Sequence, residues 1–176
     1  YRQVAEFEIQ DKYICHCSGA CTAGEAFPGI RAQGAYAISI HLLFPISSKY
    51  NCWRELAGAF FCVEGDAQAV EVFVPLLRGL GLQVQTISPE SKAQYHLSCA
   101  LASNFVCALV QRSAELLSGC GFSETDALHA LAPLMRSNLA HVIEHGAVSA
   151  LTGPIERGDT QTVQKHLSCL TERDDR

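Results

Sequence analysis

A change of pattern at residue 87 constrains this chain more than any other feature. Before it, apolar residues come in short runs separated by turns; after it, they recur at helical spacing over far longer stretches. Residues 13–17, 35–40, 59–63 and 82–87 read as four strands. The first, Tyr13-Ile-Cys-His-Cys17, is expected to be buried and stops at Ser18-Gly19; the second ends at His41. Asp66 is placed to cap a helix carrying Val70, Phe73 and Leu77, which Gly79 and Gly81 end. Apolar strands separated by helices predict an α/β domain over residues 1–87 with a mostly parallel sheet.

From residue 88 the pattern is helix only, so residues 88–176 are expected to form an all-helical domain. Ser88-Pro89-Glu90 has the composition of a helix start: a capping hydroxyl, proline in the first turn and a carboxylate at the positive end of the dipole. That helix is expected to run unbroken to Ser118, roughly 45 Å at the usual rise. Gly119-Cys-Gly121 interrupts it, and a second helix follows from the Ser123 cap to His145. A last helix is expected over residues 160–171, before a charged tail that should fray.

Composition excludes some partners. The net charge of −5 and a pI near 5.8 argue against nucleic acid and anionic membranes. The uncharged run 93–111 contains His96, Ser103 and Asn104, costly in lipid, and suits an interface helix better than a membrane span. Nine irregularly spaced cysteines do not form a disulfide framework, which points to a reducing cytoplasm. The chain begins at Tyr1 and its one methionine is Met135, so an upstream segment is expected.

Polar groups concentrate in two places. In Leu151-Thr-Gly-Pro-Ile-Glu-Arg-Gly-Asp159, Arg157 lies beside a helix N-terminus capped by Asp159, an arrangement suited to an anion. Thr152 belongs to the same loop, and Asp159, Thr162 and His166 recur on one helical face. An internal pair of Arg157 with Glu156 or Asp159 would serve the loop equally well. On the long helix, Lys92, His96, Ala100 and Asn104 recur every four residues, with Ser103 alongside. That stripe either bonds neighbouring helices or faces a ligand cleft, where His96 would exchange protons near neutral pH. His141-Val-Ile-Glu144-His145 matches an inverted zinc-protease motif, but it sits at a helix C-terminus that favours histidine anyway. Cys15-His-Cys17 with Cys21 lacks a second ligand pair. No metal site is assigned.

The order of His16-Cys-Ser-Gly19, His41-Leu-Leu-Phe-Pro45, Tyr95-His96, Ala102-Ser-Asn104, Ala132-Pro-Leu134 and the 151–159 loop with Thr162 and His166 resembles a known family. These are two-domain Rossmann-like proteins whose helical half is a domain of unknown function. They are distant relatives of pyrroline-5-carboxylate reductase and 6-phosphogluconate dehydrogenase. The resemblance implies the later part of a dinucleotide-binding sheet, lacking its first βαβ unit, followed by a helical domain that dimerises. It implies an NAD- or NADP-dependent oxidoreductase for a small anionic substrate, such as an imino, keto or hydroxy acid. A non-catalytic dimeric ligand-binding or sensor protein of the same fold is the alternative.

By resemblance, Ser18, Gly19 and His41 would lie on the nicotinamide side of the crevice. His96, Ser103 and Asn104 would act at the reacting group, and Thr152, Arg157, Asp159, Thr162 and His166 would bind substrate. The sequence departs from the pattern in three ways. Ala100 stands where relatives have a catalytic lysine one turn before the asparagine, which leaves His96 or Lys92 as the acid/base. Leu42 replaces a proline, and no G-x-G-x-x-G occurs, so these residues alone are not expected to bind a dinucleotide well.

Overall fold

The computed structural model describes residues 4, 6–46, 48–50, 53–56 and 58–174. Four strands, β1 (Tyr13–His16), β2 (Tyr36–Leu42), β3 (Phe60–Gly65) and β4 (Gln83–Thr86), form one sheet in that spatial order. Between them run α1 (Ala23–Ala26) and α2 (Ala67–Gly79). The remainder is helical: α3 (Lys92–Ala102), α4 (Asn104–Ser118), α5 (Glu124–His145), α6 (Ala147–Ala150) and α7 (Thr160–Asp174). The α/β class with a following helical region is therefore as the sequence predicts.

The β1–β2 and β3–β4 pairs are parallel, whereas β2 and β3 pair antiparallel. α2 provides the crossover that the parallel β3–β4 pair requires. Between β2 and β3 the described residues hold a 3₁₀ turn, Trp53–Leu56, and no α-helix. β1 is an edge strand, and Tyr13 and Cys15 are exposed, which corrects the expectation of a buried strand. Its apolar run reflects packing on one side only: Tyr13 stacks on Tyr36 and meets Phe73 edge-on.

Alternation along the strands gives the sheet two different faces. Ile38, Val63 and Val84 point to one and pack with Ala69, Val74, Phe73 and Leu77 of α2. On the other, Ala35 and Ala37 pack with Ala23, Phe27 and Ile30, but the row beyond them is polar. His16, Ser39 and Glu64 are register partners across β1, β2 and β3. Ser39 and Glu64 are almost completely buried.

Lys92, at the start of α3, meets this row. It is 1% exposed, and its Nζ lies 2.6 Å from Ser39 Oγ and 3.4 Å from Glu64 Oε1. Glu64 Oε1 also accepts the Ala23 N–H at 2.9 Å, which fastens α1 to the same cluster. One buried ion pair thus joins the sheet, α1 and α3.

Other local expectations change. The Asp66 carboxylate does not cap α2; it accepts the Ala37 N–H at 2.7 Å. The β3 end is pulled against β2 there: a Cβ on Gly65 would stand 2.4 Å from the Ala37 carbonyl oxygen. The helix start at Ser88 is a 3₁₀ turn, Pro89–Ser91, before α3 begins. The long helix is not continuous, because Ser103 leaves helical geometry at φ −121° and ψ −74° and separates α3 from α4. Serine and asparagine compete locally for backbone hydrogen bonds, which makes this pair a weak point in an apolar helix. α5 follows the expected span from its Ser123 cap to Gly146. α7 continues to Asp174, further than expected, and residues 175–176 of the expected frayed tail lie outside the described set.

The chain forms two compact units, residues 1–108 and 109–176, so the division in space falls later than the change of pattern at residue 87. In the second unit the buried apolar residues are small, Ala114, Ala127 and Ala150, whereas Ile143 and Val148 are 78% and 93% exposed. Among the described residues, 89–118 is the stretch long and apolar enough to cross a membrane. It is interrupted at Ser103 and carries the buried Lys92.

Replacing Lys92 by methionine leaves Glu64 buried without its cation. Chemical denaturation should show a loss of about 3–5 kcal/mol of stability. A loss no larger than that of a typical surface substitution would contradict the assignment.

Candidate functional site

Two residues beyond Ser39 on the same face of β2, the row reaches His41, whose register partner on β3 is Cys62. α3 covers this row. Lys92, Tyr95, His96 and Cys99 are spaced i, i+3, i+4 and i+7, so they share a helical face. His41 Nδ1 and the Tyr95 hydroxyl are 2.5 Å apart, with the rings edge-on. The His96 ring lies 6.5 Å from His41, centroid to centroid.

These side chains open on a cleft of about 320 Å³ in the first unit. Residues 41–45 line one side, and His96, Cys99, Ala100, Ser103 and Asn104 line the other. The helix break at Ser103 lies in this wall, which brings Ser103 and Asn104 to the cleft. No charged side chain lines it among the described residues.

Gly19 packs against the two imidazoles of the cleft. A Cβ there would stand 2.7 Å from both His41 Nε2 and His96 Cδ2, so only glycine lets both imidazoles approach. The turn that carries it is held by two bonds: Ser18 N–H donates to His16 Nδ1 at 3.1 Å, and the Ser39 hydroxyl donates to the Ser18 carbonyl at 3.4 Å. The Ser18 hydroxyl accepts the Cys21 N–H at 3.2 Å, so it supports the turn.

The electrostatics favour neutral groups. Burial and the Lys92 charge push the His41 pKa below its ordinary value of 6.5, and His96 adds to the effect. Burial and Lys92 lower His16 in the same way. Burial raises the Tyr95 pKa, helped by Cys62 and Cys99, so its hydroxyl stays protonated. When that hydroxyl donates to His41 Nδ1, the imidazole proton resides on Nε2, facing Gly19. The site then presents a neutral N–H donor with a second imidazole beside it, a pair suited to moving one proton to or from a ligand oxygen or nitrogen.

The structure therefore brings Gly19, His41, His96, Ser103 and Asn104 together. Lys92 is separate, held in the buried row. The four-residue stripe does not hold one face: each i+4 step turns about 40° around α3, and the helix breaks at Ser103 before Asn104. Thr152, Arg157, Asp159, Thr162 and His166 belong to the second unit. There Asp159 caps α7 as expected: one carboxylate oxygen accepts Thr162 N–H at 3.0 Å, the other Thr162 Oγ1–H at 2.7 Å. These bonds hold the Asp159 pKa below the usual carboxylate range. Thr152, Arg157 and His166 are exposed. His141 and His145 are neighbours on α5, and no group of three or more His, Cys, Asp or Glu among the described residues is placed to hold a metal ion.

The pairing of Tyr95 with His41 and the buried roles of Ser39 and Glu64 were not among the expectations from sequence. Their signal is period two: Ser39 and His41 alternate with Ile38 and Ile40, and Cys62 and Glu64 with Phe61 and Val63.

Residues 59–176 match the model of a domain of unknown function, DUF2520. The chain belongs to the DUF2520 family. It matches no curated protein. Among solved structures it is similar to protein TM1727 from Thermotoga maritima, with a TM-score of 0.71 and 27% identity over 89% of this chain and 59% of that one. It is also similar to BF3122 from Bacteroides fragilis, named a putative NADP oxidoreductase, with a TM-score of 0.71 and 19% identity over 91% of this chain and 58% of that one. This DUF2520 chain thus has a Rossmann-like α/β fold and spans under two thirds of each of these structures.

Two outcomes test this geometry. The folded-state pKa values of His16 and His41 are depressed, so the stability they contribute is present above pH 6.5 and is lost as pH falls through the lowered values. The urea midpoint of the wild type should therefore fall below pH 6.5 more steeply than that of His16→Asn; parallel curves would contradict the burial of the imidazole. In Gly19→Ala, crystallography should show the His41 and His96 rings displaced with the fold kept. Unmoved rings would contradict the close approach.

Proposed function

We propose that this DUF2520 protein is an NAD(P)-dependent oxidoreductase that interconverts a small carbonyl or imine with its reduced form. The observation that carries this reading is the Tyr95–His41 pair, with His41 and His96 packed against Gly19 and lining a cleft at the C-terminal end of β2. Ligands of open α/β sheets bind at such strand ends.

A bound nicotinamide would supply or take the hydride. Gly19 fits that use, since its missing Cβ leaves room beside the two imidazoles, with Ser18 and His41 completing the nicotinamide side. The chain has no G-x-G-x-x-G for the pyrophosphate, so dinucleotide binding is proposed for the full-length protein. His96 would exchange the proton, His41 Nε2 would orient the reacting oxygen or nitrogen, and Ser103 and Asn104 would bond the rest of that group.

The cleft lining favours an uncharged reacting group with an apolar substituent against Leu42, Leu43 and Phe44. Within the second unit, Arg157 is proposed to bind an acid function, with Thr152, Thr162 and His166 as its polar company and Asp159 as the cap of the helix that follows. The exposed apolar side chains of the helical unit, Ile143 and Val148 among them, support a homodimer. The net charge of −5 and the free thiols fit a cytoplasmic protein acting on small molecules rather than nucleic acid or membrane.

A non-catalytic ligand-binding protein of the same fold is the second reading, favoured by Ala100, which lines the cleft where related enzymes are expected to carry lysine. Titration of NADPH and NADH into the full-length protein should show saturable binding, weakened at least about tenfold, or roughly 1.4 kcal/mol, by His41→Ala. Arg157→Ala should leave nucleotide binding intact and weaken binding of a small carboxylate. A folded protein that binds neither nucleotide would refute the proposal; binding without turnover of any carbonyl substrate would establish the second reading.

A further inference from the structure

We infer that Lys92 and Ser39 are positioning residues: the buried ammonium fixes the direction of the Ser39 hydroxyl, which holds the Ser18-Gly19 turn against His41 and His96. A protonated lysine only donates, and its Nζ lies 2.6 Å from Ser39 Oγ. That bond occupies an acceptor site on the serine oxygen, and the serine's own proton goes to the Ser18 carbonyl, 3.4 Å away. Ser39 and Lys92 are almost fully buried, so water does not compete for the Lys92–Ser39 bond, while the Ser39–Ser18 bond is part-buried. The next residue is Gly19, the point of closest approach to both imidazoles. Glu64 Oε1, 3.4 Å from Nζ, keeps the charge compensated.

The same lysine sits one helical turn before Tyr95 and His96, so one side chain sets both walls: α3 through its backbone, and the glycine turn through Ser39. Tyr95, His96 and Cys99 face His41 from α3, and Cys62 faces it from β3. Lys92 is the cation of this group, and its charge disfavours protonation of His41. The inference rests on the cleft of the proposed oxidoreductase, but its test needs no nucleotide.

Ser39→Ala removes the relay and leaves the Lys92–Glu64 pair. In NMR spectra of the unliganded protein, the Gly19 amide and the His41 and His96 ring resonances should shift, and amide exchange at Gly19 should speed up at least about tenfold. In Lys92→Met the His41 titration midpoint should also rise towards its ordinary value. In the wild type, a slowly exchanging Ser39 hydroxyl proton should show a nuclear Overhauser effect to the Gly19 amide, which tests the relay even if neither variant folds. Unchanged Gly19 and imidazole signals in a folded Ser39→Ala protein, or a fast-exchanging Ser39 hydroxyl in the wild type, would overturn the inference. Loss of nucleotide binding with these signals intact would count against the oxidoreductase reading alone.

Discussion

The first unit depends on a charge that is costly to bury. Lys92 gives up hydration to sit between Ser39 and Glu64, and such a group is tolerated only with an opposite charge and good hydrogen bonds. Glu64 meets that need and also holds the N-terminal N–H of α1. An apolar trio of the same size could fill the space, but it would not fix which hydroxyl proton points where. The consequence of the pair is orientation as much as stability.

The cleft follows from that anchor through ordinary strand and helix periods. Ser39 and His41 share a face of β2 because side chains repeat every two residues. Lys92, Tyr95, His96 and Cys99 share a face of α3 because they repeat at three to four. Laying one face on the other brings the Tyr95 hydroxyl to His41 and leaves His96 at the cleft edge. The break at Ser103 then turns the chain so that Ser103 and Asn104 face the same space. Burial beside a lysine keeps His41 neutral, which suits a hydrogen-bond donor better than a cation.

Much of this was legible from local pattern. The strands, the α5 span and the Asp159 cap follow from alternation and capping residues, and His41, His96, Ser103 and Asn104 do meet at one cleft. What escaped depends on partners distant in sequence. Asp66 looks like a helix cap until the Ala37 N–H is 2.7 Å from it. Tyr95 looks apolar until His41 is opposite. β1 looks buried because its residues are apolar, although neighbours on a second side are a tertiary fact that no run of residues encodes. Membership of DUF2520 and the likeness to a Rossmann-like structure establish the fold, whereas the chemistry rests on the site.

The Lys92–Glu64 pair acts as one unit. A double-mutant cycle with Lys92→Met, Glu64→Leu and the pair together, followed by chemical denaturation, measures that directly. The double variant should recover much of what either single variant loses, with a coupling of about 2 kcal/mol or more. Single losses that simply add would show two independent residues and contradict it.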